Sequence, residues 1–202
     1  MLPPAVRTET EELAGYLQDQ MTALRTAAHG LTEEQARMTP CRSALSIGGL
    51  IKHATMVCTG RARRQQIAAG TAVEPAFADR FAEFTASFAL TETETLDGVL
   101  AQFDEACAAY LASVRDCDPD ARVMEPPAPW YGRTEPVETT DRYALLHHVE
   151  ELARHAGHAD IIREQLDGAN AASLSAAVEG RPANAFVTPW RPAEPAEPSV
   201  TA

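Results

Sequence analysis

The stretch HHVEELARHAGHADIIREQLDG, residues 147–168, decides the reading of this chain. It sets His147, Glu151, His155 and His158 at offsets of four, four and three. At 3.6 residues per turn, a step of four rotates a side chain by only about 40°, so on a helix these four share one stripe. A carboxylate and several imidazoles on one helical face are the parts of a divalent-metal site. Roughly 16 Å of helical rise separates His147 from His158, so one ion can engage only neighbours. Glu151 and His155 form the natural pair, and a third ligand has to come from another segment.

Working outward, helical patterns dominate and no stretch shows a convincing strand period. A first helix is expected from about Thr8 to His29, with Leu13, Leu17, Met21 and Leu24 as its apolar stripe and Gly30 as its stop. Thr32 reads as the cap of a short turn, LTEEQA. A second long helix opens near Ser43 or Ser46 and runs to about Ala69, with Gly48 and Gly49 in its first turn permitting close backbone approach. Phe77, Phe81, Phe84 and Phe88 recur at near-helical spacing, as a short helix or as a loop laid over the bundle. Thr91 and Glu94 resemble a capping box for a third long helix carrying Leu96, Leu100, Phe103, Cys107 and Leu111. A proline-bearing connection, residues 116–141, then leads to a fourth long helix capped by Thr139 or Thr140 and ending at Gly168. Four long helices with long connectors predict an all-α four-helix bundle over residues 1–180, open to a non-consecutive arrangement. The Pro-rich tail, 181–202, is expected to lack a core and to be disordered over its last dozen residues.

Bulk properties narrow the function. The formal net charge of −12 argues against nucleic acid, because phosphate neutralisation needs a positive surface. The cluster Arg61, Arg63, Arg64 is too small to reverse that and is expected near a helix end. No apolar run reaches the length of a membrane span and the N-terminal residues lack a signal pattern, so no membrane partner and a cytoplasmic location are expected. Cys41, Cys58, Cys107 and Cys117 show no C-x-x-C pairing and read as free thiols. Lys52 reads as solvent-facing, and Asp160 with Arg163 as an exposed ion pair.

Two histidines lie outside the fourth helix, His29 and His53. His29 sits at a helix end and is a poor ligand. His53 is flanked by Ile47, Leu50, Ile51, Ala54 and Val57, which puts it on or beside a buried stripe. It is either a core histidine satisfied by one hydrogen bond or the third ligand, since a bundle's centre is where such groups converge. With Glu151 and His155 it would make a three-ligand set with open positions, as catalytic metal sites require.

The pairing of SALSIGGLIKHATMV, residues 43–57, with RYALLHHVEELARHAGHADIIREQLDG, residues 142–168, resembles the DinB-like superfamily, also called the bacillithiol and mycothiol S-transferase family, and in particular its DUF664 branch. The resemblance runs from about Val6 to Gly168 and includes TETETLDGVLAQFDEACAAY, residues 91–110. It implies a four-helix bundle holding a divalent ion, often zinc or nickel, through His53, Glu151 and His155. In much of the superfamily the pair on the last helix is His and His; Glu and His match the mycothiol-dependent maleylpyruvate isomerases. His158 stands where many relatives have Gln, and His147 matches a recurrent histidine of the branch. One departure is visible: residues 58–66, CTGRARRQQ, stand where relatives often carry aromatic residues, which alters the pocket wall.

The implied activity is metal-dependent activation of a thiol, with mycothiol as a cosubstrate, or of water, for addition to, transfer to or isomerisation of a small electrophile. His147, His148 or His158 would carry a proton or orient a ligand, with His147 and His158 the catalytic candidates. Two other readings stand beside this one. One is a metal-binding stress-response protein without turnover; the other is a bundle whose histidines are structural and which forms a homodimer through an apolar face.

Overall fold

The computed structural model describes residues 7–192, and of Trp130 the backbone. The fold is an all-α, DinB-like four-helix bundle. Its long helices are α1 (Glu9–Ala27), α3 (Ile47–Ala68), α5 (Leu96–Arg115) and α6 (Asp141–Asp167); three shorter ones are α2 (Glu33–Arg37), α4 (Phe77–Ala86) and α7 (Ala171–Val178). Helix α1 packs chiefly on α6 and α5, and α3 on α5 and α6, so the order around the bundle is α1, α6, α3, α5. The consecutive helices α5 and α6 therefore stand at opposite corners, which the long connection between them allows.

Local chemistry sets the helix ends. Thr8 and Glu11 cap α1 reciprocally, as do Thr32 and Gln35 for α2. Ser46 caps α3 and Thr140 caps α6, each accepting from a backbone N–H three residues on. Gly168 closes α6 in the left-handed region at φ 75°. The expected stripes are buried: Leu13, Leu17, Met21 and Leu24 on α1, and Leu96, Leu100, Phe103, Cys107 and Leu111 on α5. All four cysteines are free thiols.

Several expectations need correction. Thr91 and Glu94 do bond, with Glu94 Oε2 accepting from Thr91 N at 2.7 Å, but they close a turn ahead of the helix. Thr95 is the true cap of α5. Glu94 also holds Lys52 Nζ at 2.8 Å, and Lys52 donates to the Ala89 carbonyl, so that lysine ties α3 to the α4–α5 connection instead of facing solvent. Residues 116–141 contain an antiparallel hairpin, β1 (Arg122–Glu125) and β2 (Val137–Thr140), with Arg122 opposite Thr140. Strands of four residues are too short to show a readable alternation.

The arginines depart furthest from expectation. Arg61 is buried, forking onto Asp141 at 2.5 and 2.6 Å with Nε donating to Ser113 Oγ. Arg163 is 0% exposed, grips Asp167 rather than Asp160, and donates to the carbonyls of Ala27 and His29 at the end of α1. The Trp190 ring lies 4.7 Å from its guanidinium carbon, so the described part of the Pro-rich segment packs on the bundle. Residues 193–202, where disorder was expected, lie outside the described residues.

One glycine is required by packing. A Cβ on Gly49 would fall 2.0 Å from the Phe88 carbonyl oxygen. Helix propensity favours Gly49→Ala by about 1 kcal/mol, while the overlap costs about 1–3 kcal/mol and opposes it. The expected outcome of Gly49→Ala is a net loss of stability, read as a lowered melting temperature; an unchanged or raised value would show that the Phe88 segment yields freely.

Candidate metal centre

Because α3 and α6 are neighbours, His53 meets the polar stripe of α6. One ligand atom each from His53, Glu151 and His155 lies within 4.8 Å of the others. Glu151 Oε1 sits 3.4 Å from His53 Nε2 and 3.1 Å from His155 Nε2. Two donors each about 2.1 Å from a tetrahedral ion are about 3.4 Å apart, so both separations from Glu151 are close to what a shared ion requires.

Hydrogen bonding shows which ring nitrogens are available. Ser87 Oγ donates to the Phe84 carbonyl at 2.6 Å, so toward His53 Nδ1, 2.9 Å away, it can only accept. His53 therefore carries its proton on Nδ1, and in the neutral ring Nε2 turns a lone pair toward the carboxylate. In that neutral form two lone pairs would face each other at 3.4 Å, an arrangement that a cation held between them stabilises. The donor set fits a divalent ion on this ground. The His155 imidazole, hydrogen-bonded to the Glu151 carboxyl, holds that group well below the usual range, against the opposing effect of burial.

Aromatic rings enclose the cluster. His53 is 1% exposed, stacks on Phe88 with centroids 4.0 Å apart, and meets Phe84 edge-on at 5.5 Å. Phe88 also reaches His155, at 5.9 Å. These rings come from α4 and the turn after it, so the phenylalanine repeat builds the wall beside the candidate ligands. Its spacing was visible in the sequence; nothing there marked Ser87.

The other histidines divide. His158 Nδ1 lies 3.5 Å from His155 Nδ1, on the side of that ring away from Glu151, and burial pushes its pKa down. His147 is not part of the cluster: it is exposed, 3.7 Å from Glu150, at the wall of the cleft. His148, also in that wall, is buried, with Nδ1 2.5 Å from the Tyr110 hydroxyl and Nε2 3.4 Å from Arg64 Nη2. Arginine only donates, so Nε2 accepts and Nδ1 carries the proton toward Tyr110. Burial, with Arg64 and other cations adding to it, lowers the His148 pKa to about 3.

Outside the buried cluster the site opens into a cleft of about 1270 Å³, bounded by α3, α4, α6 and the hairpin. The chain belongs to the mycothiol-S-transferase family, whose model matches residues 12–168. That family is of the DinB-like type expected from the two histidine-bearing motifs. No curated protein matches the chain. Among solved structures, a conserved protein from Enterococcus faecalis aligns with 81% of this chain and 100% of its own, at 16% identity and a TM-score of 0.49.

The depressed His148 pKa makes a signed prediction. The folded state keeps the ring neutral while the unfolded chain protonates near pH 6.5, so His148 stabilises the fold above that pH and the contribution is lost as pH falls. Between pH 6 and 5, above the ordinary carboxylate range, urea unfolding of metal-free protein should lose about 1.4 kcal/mol per pH unit. His148→Gln should flatten that slope. An equal slope in the variant would place the titration elsewhere.

Proposed function

We propose that this protein is a metal-dependent thiol transferase, joining a low-molecular-weight thiol of the mycothiol type to a small electrophile or isomerising the electrophile through the thiol. The observation that carries this reading is the His53, Glu151 and His155 set, two of whose members, His53 and Glu151, line the large cleft. Pockets for a single small ligand commonly measure roughly 300–1000 Å³, and this cleft lies above that range, a size that suits a site taking a thiol and a second reactant together.

A divalent ion held by His53, Glu151 and His155, zinc or nickel by the family resemblance, would supply Lewis acidity that favours the ionised form of a thiol placed beside it. The residues do the rest. Ser87 fixes the His53 ring so that Nε2 faces inward. Phe84 and Phe88 cover that ring and limit water, so charges there interact more strongly than in solvent. His158 orients His155 from its far side. His147, exposed at the cleft, exchanges the released proton with solvent.

Protein purified without chelator should carry about one divalent ion per chain and consume mycothiol in the presence of a model electrophile such as monochlorobimane. His53→Ala should lose the ion and most of the rate. Ser87→Ala, which leaves the ligands in place, should weaken metal affinity by about 10–100-fold, the usual effect of removing a ligand's orienting partner. Unchanged thiol consumption in His53→Ala would overturn the proposal; stoichiometric metal with no thiol consumption would leave a binding protein.

A further inference from the structure

Four arginines line the cleft beside His53 and Glu151: Arg63, Arg64, Arg80 and Arg133. Two are neutralised in place, Arg63 by Glu83 at 2.9 Å and Arg80 by Glu74 at 2.7 Å. The other two have no ion-pair partner among the described residues. Arg64, half-buried on α3, donates to the neutral His148 ring. Arg133, half-buried in the hairpin connection, donates from Nη2 to the Pro126 carbonyl at 3.0 Å. Its Nε is the buried side-chain polar atom that, among the described residues, has no hydrogen-bond partner. The backbone presenting it is closed: Ala128 N donates to the Arg133 carbonyl at 2.7 Å, and Gly132 turns the chain at φ 74°.

In a chain of net charge −12 carboxylates are abundant, and four glutamates line this cleft, yet among the described residues none forms an ion pair with Arg64 or Arg133. A half-buried cation with only neutral hydrogen-bond partners has lost hydration without a counter-charge to offset it, unless something outside the chain supplies one. A guanidinium with free N–H groups matches a carboxylate in shape and charge. Glu125 and Glu151 line the cleft as well; with Glu151 assigned to the candidate metal centre, Glu125 is the one carboxylate to set against Arg64 and Arg133, an excess of one positive charge outside that centre. One excess charge suits a monoanion. Val57, Ile67, Phe77 and Phe81 supply an apolar wall in the same cleft.

We propose that one of the two reactants is a monocarboxylate with an apolar body, its acid group recognised by Arg64 and Arg133. Its role as a reactant rests on the thiol-transfer reading; the anion site itself does not.

Calorimetry with hexanoate and its neutral counterpart hexanamide tests the site directly. Hexanoate should bind saturably and hexanamide at least about tenfold more weakly, the equivalent of one charge-assisted contact. The double variant Arg64→Gln, Arg133→Gln should lose that preference, while His53→Ala keeps it. Arg64→Lys with Arg133→Lys, which retains charge without the fork, should fall between, and circular dichroism melts report whether each variant folds. Equal binding of acid and amide by the wild type would overturn the proposal. So would loss of hexanoate in His53→Ala with retention in the arginine variant, because the carboxylate would then sit on the ion.

A second arm assigns the acid to one reactant. Iodoacetate and iodoacetamide both alkylate a thiolate: a C–S bond forms as the C–I bond breaks, iodide leaves with the electron pair, and the thiol proton passes to base. If the electrophile carries the acid, the arginine double variant slows iodoacetate selectively; if the thiol carries it, both slow equally. Where the wild type catalyses both alkylations, no slowing of either in the variant would overturn the acid's role as a reactant. A protein without transfer activity would still prefer hexanoate over hexanamide, so failure of the functional reading and failure of the anion site read differently.

Discussion

The buried pair Arg61–Asp141 sets the geometry on which the candidate metal centre depends. Along α3, Arg61 lies about 12 Å of rise beyond His53; along α6, Asp141 lies about 15 Å before Glu151. Contacts at both levels mean that α3 and α6 run antiparallel in a register with two tie points. Desolvating an arginine and an aspartate gives little net stability, because the attraction is largely offset by lost hydration. Its effect here is specificity: any rotation or slip of α6 would leave a guanidinium buried without a partner. At the other end of α6, Arg163 holds Asp167 and two carbonyls at the end of α1. Helix α6 is thus fixed at both ends, and the histidine and glutamate stripe lies between the anchors.

The face of α6 turned to the core mixes apolar and polar groups. Ala144, Leu145, Leu152, Ala156, Ala159 and Ile162 pack in the core, while His148 and His155 are buried among them. Each imidazole is tolerated because it has a partner: Tyr110 and Arg64 for His148, Glu151 and His158 for His155. His53 follows the same rule through Ser87. Among the described residues two imidazoles converge on the Glu151 carboxylate, a donor set for which a cation is the natural occupant.

Periodicity made the bundle legible. Leu13, Leu17, Met21 and Leu24 repeat at helical spacing and pack as that spacing implies, and the histidine stripe announced the face of α6 that carries the cluster. His53 was legible only as a polar residue in an apolar run, open to two readings, because whether it meets Glu151 depends on the register of helices 98 positions apart in sequence. Arg61, Arg163 and Lys52 were misread for a common reason. A charged residue is ordinarily solvated, and only the tertiary structure reveals a carboxylate or a carbonyl waiting for it, as Asp141 waits for Arg61 across 80 positions. Ser87 had no signature at all, since a serine at a helix C-terminus commonly serves the backbone alone.

The two sides of the site differ in how firmly the fold holds them. His53, Glu151 and His155 stand on α3 and α6, helices whose buried faces form the main core. The opposite wall comes from α4, none of whose ten residues is buried, and from the short hairpin. Few buried contacts mean a low free energy of local opening, so this wall can separate from the bundle without unfolding it. A rigid ligand set facing a weakly held wall separates two requirements. The donor atoms keep the spacing an ion needs, while the part of the cleft that meets the organic reactants can change shape. Substitutions in α4 and the hairpin would then alter which molecules enter at little cost to the centre itself, except at Phe84, Ser87 and Phe88, where the wall touches His53.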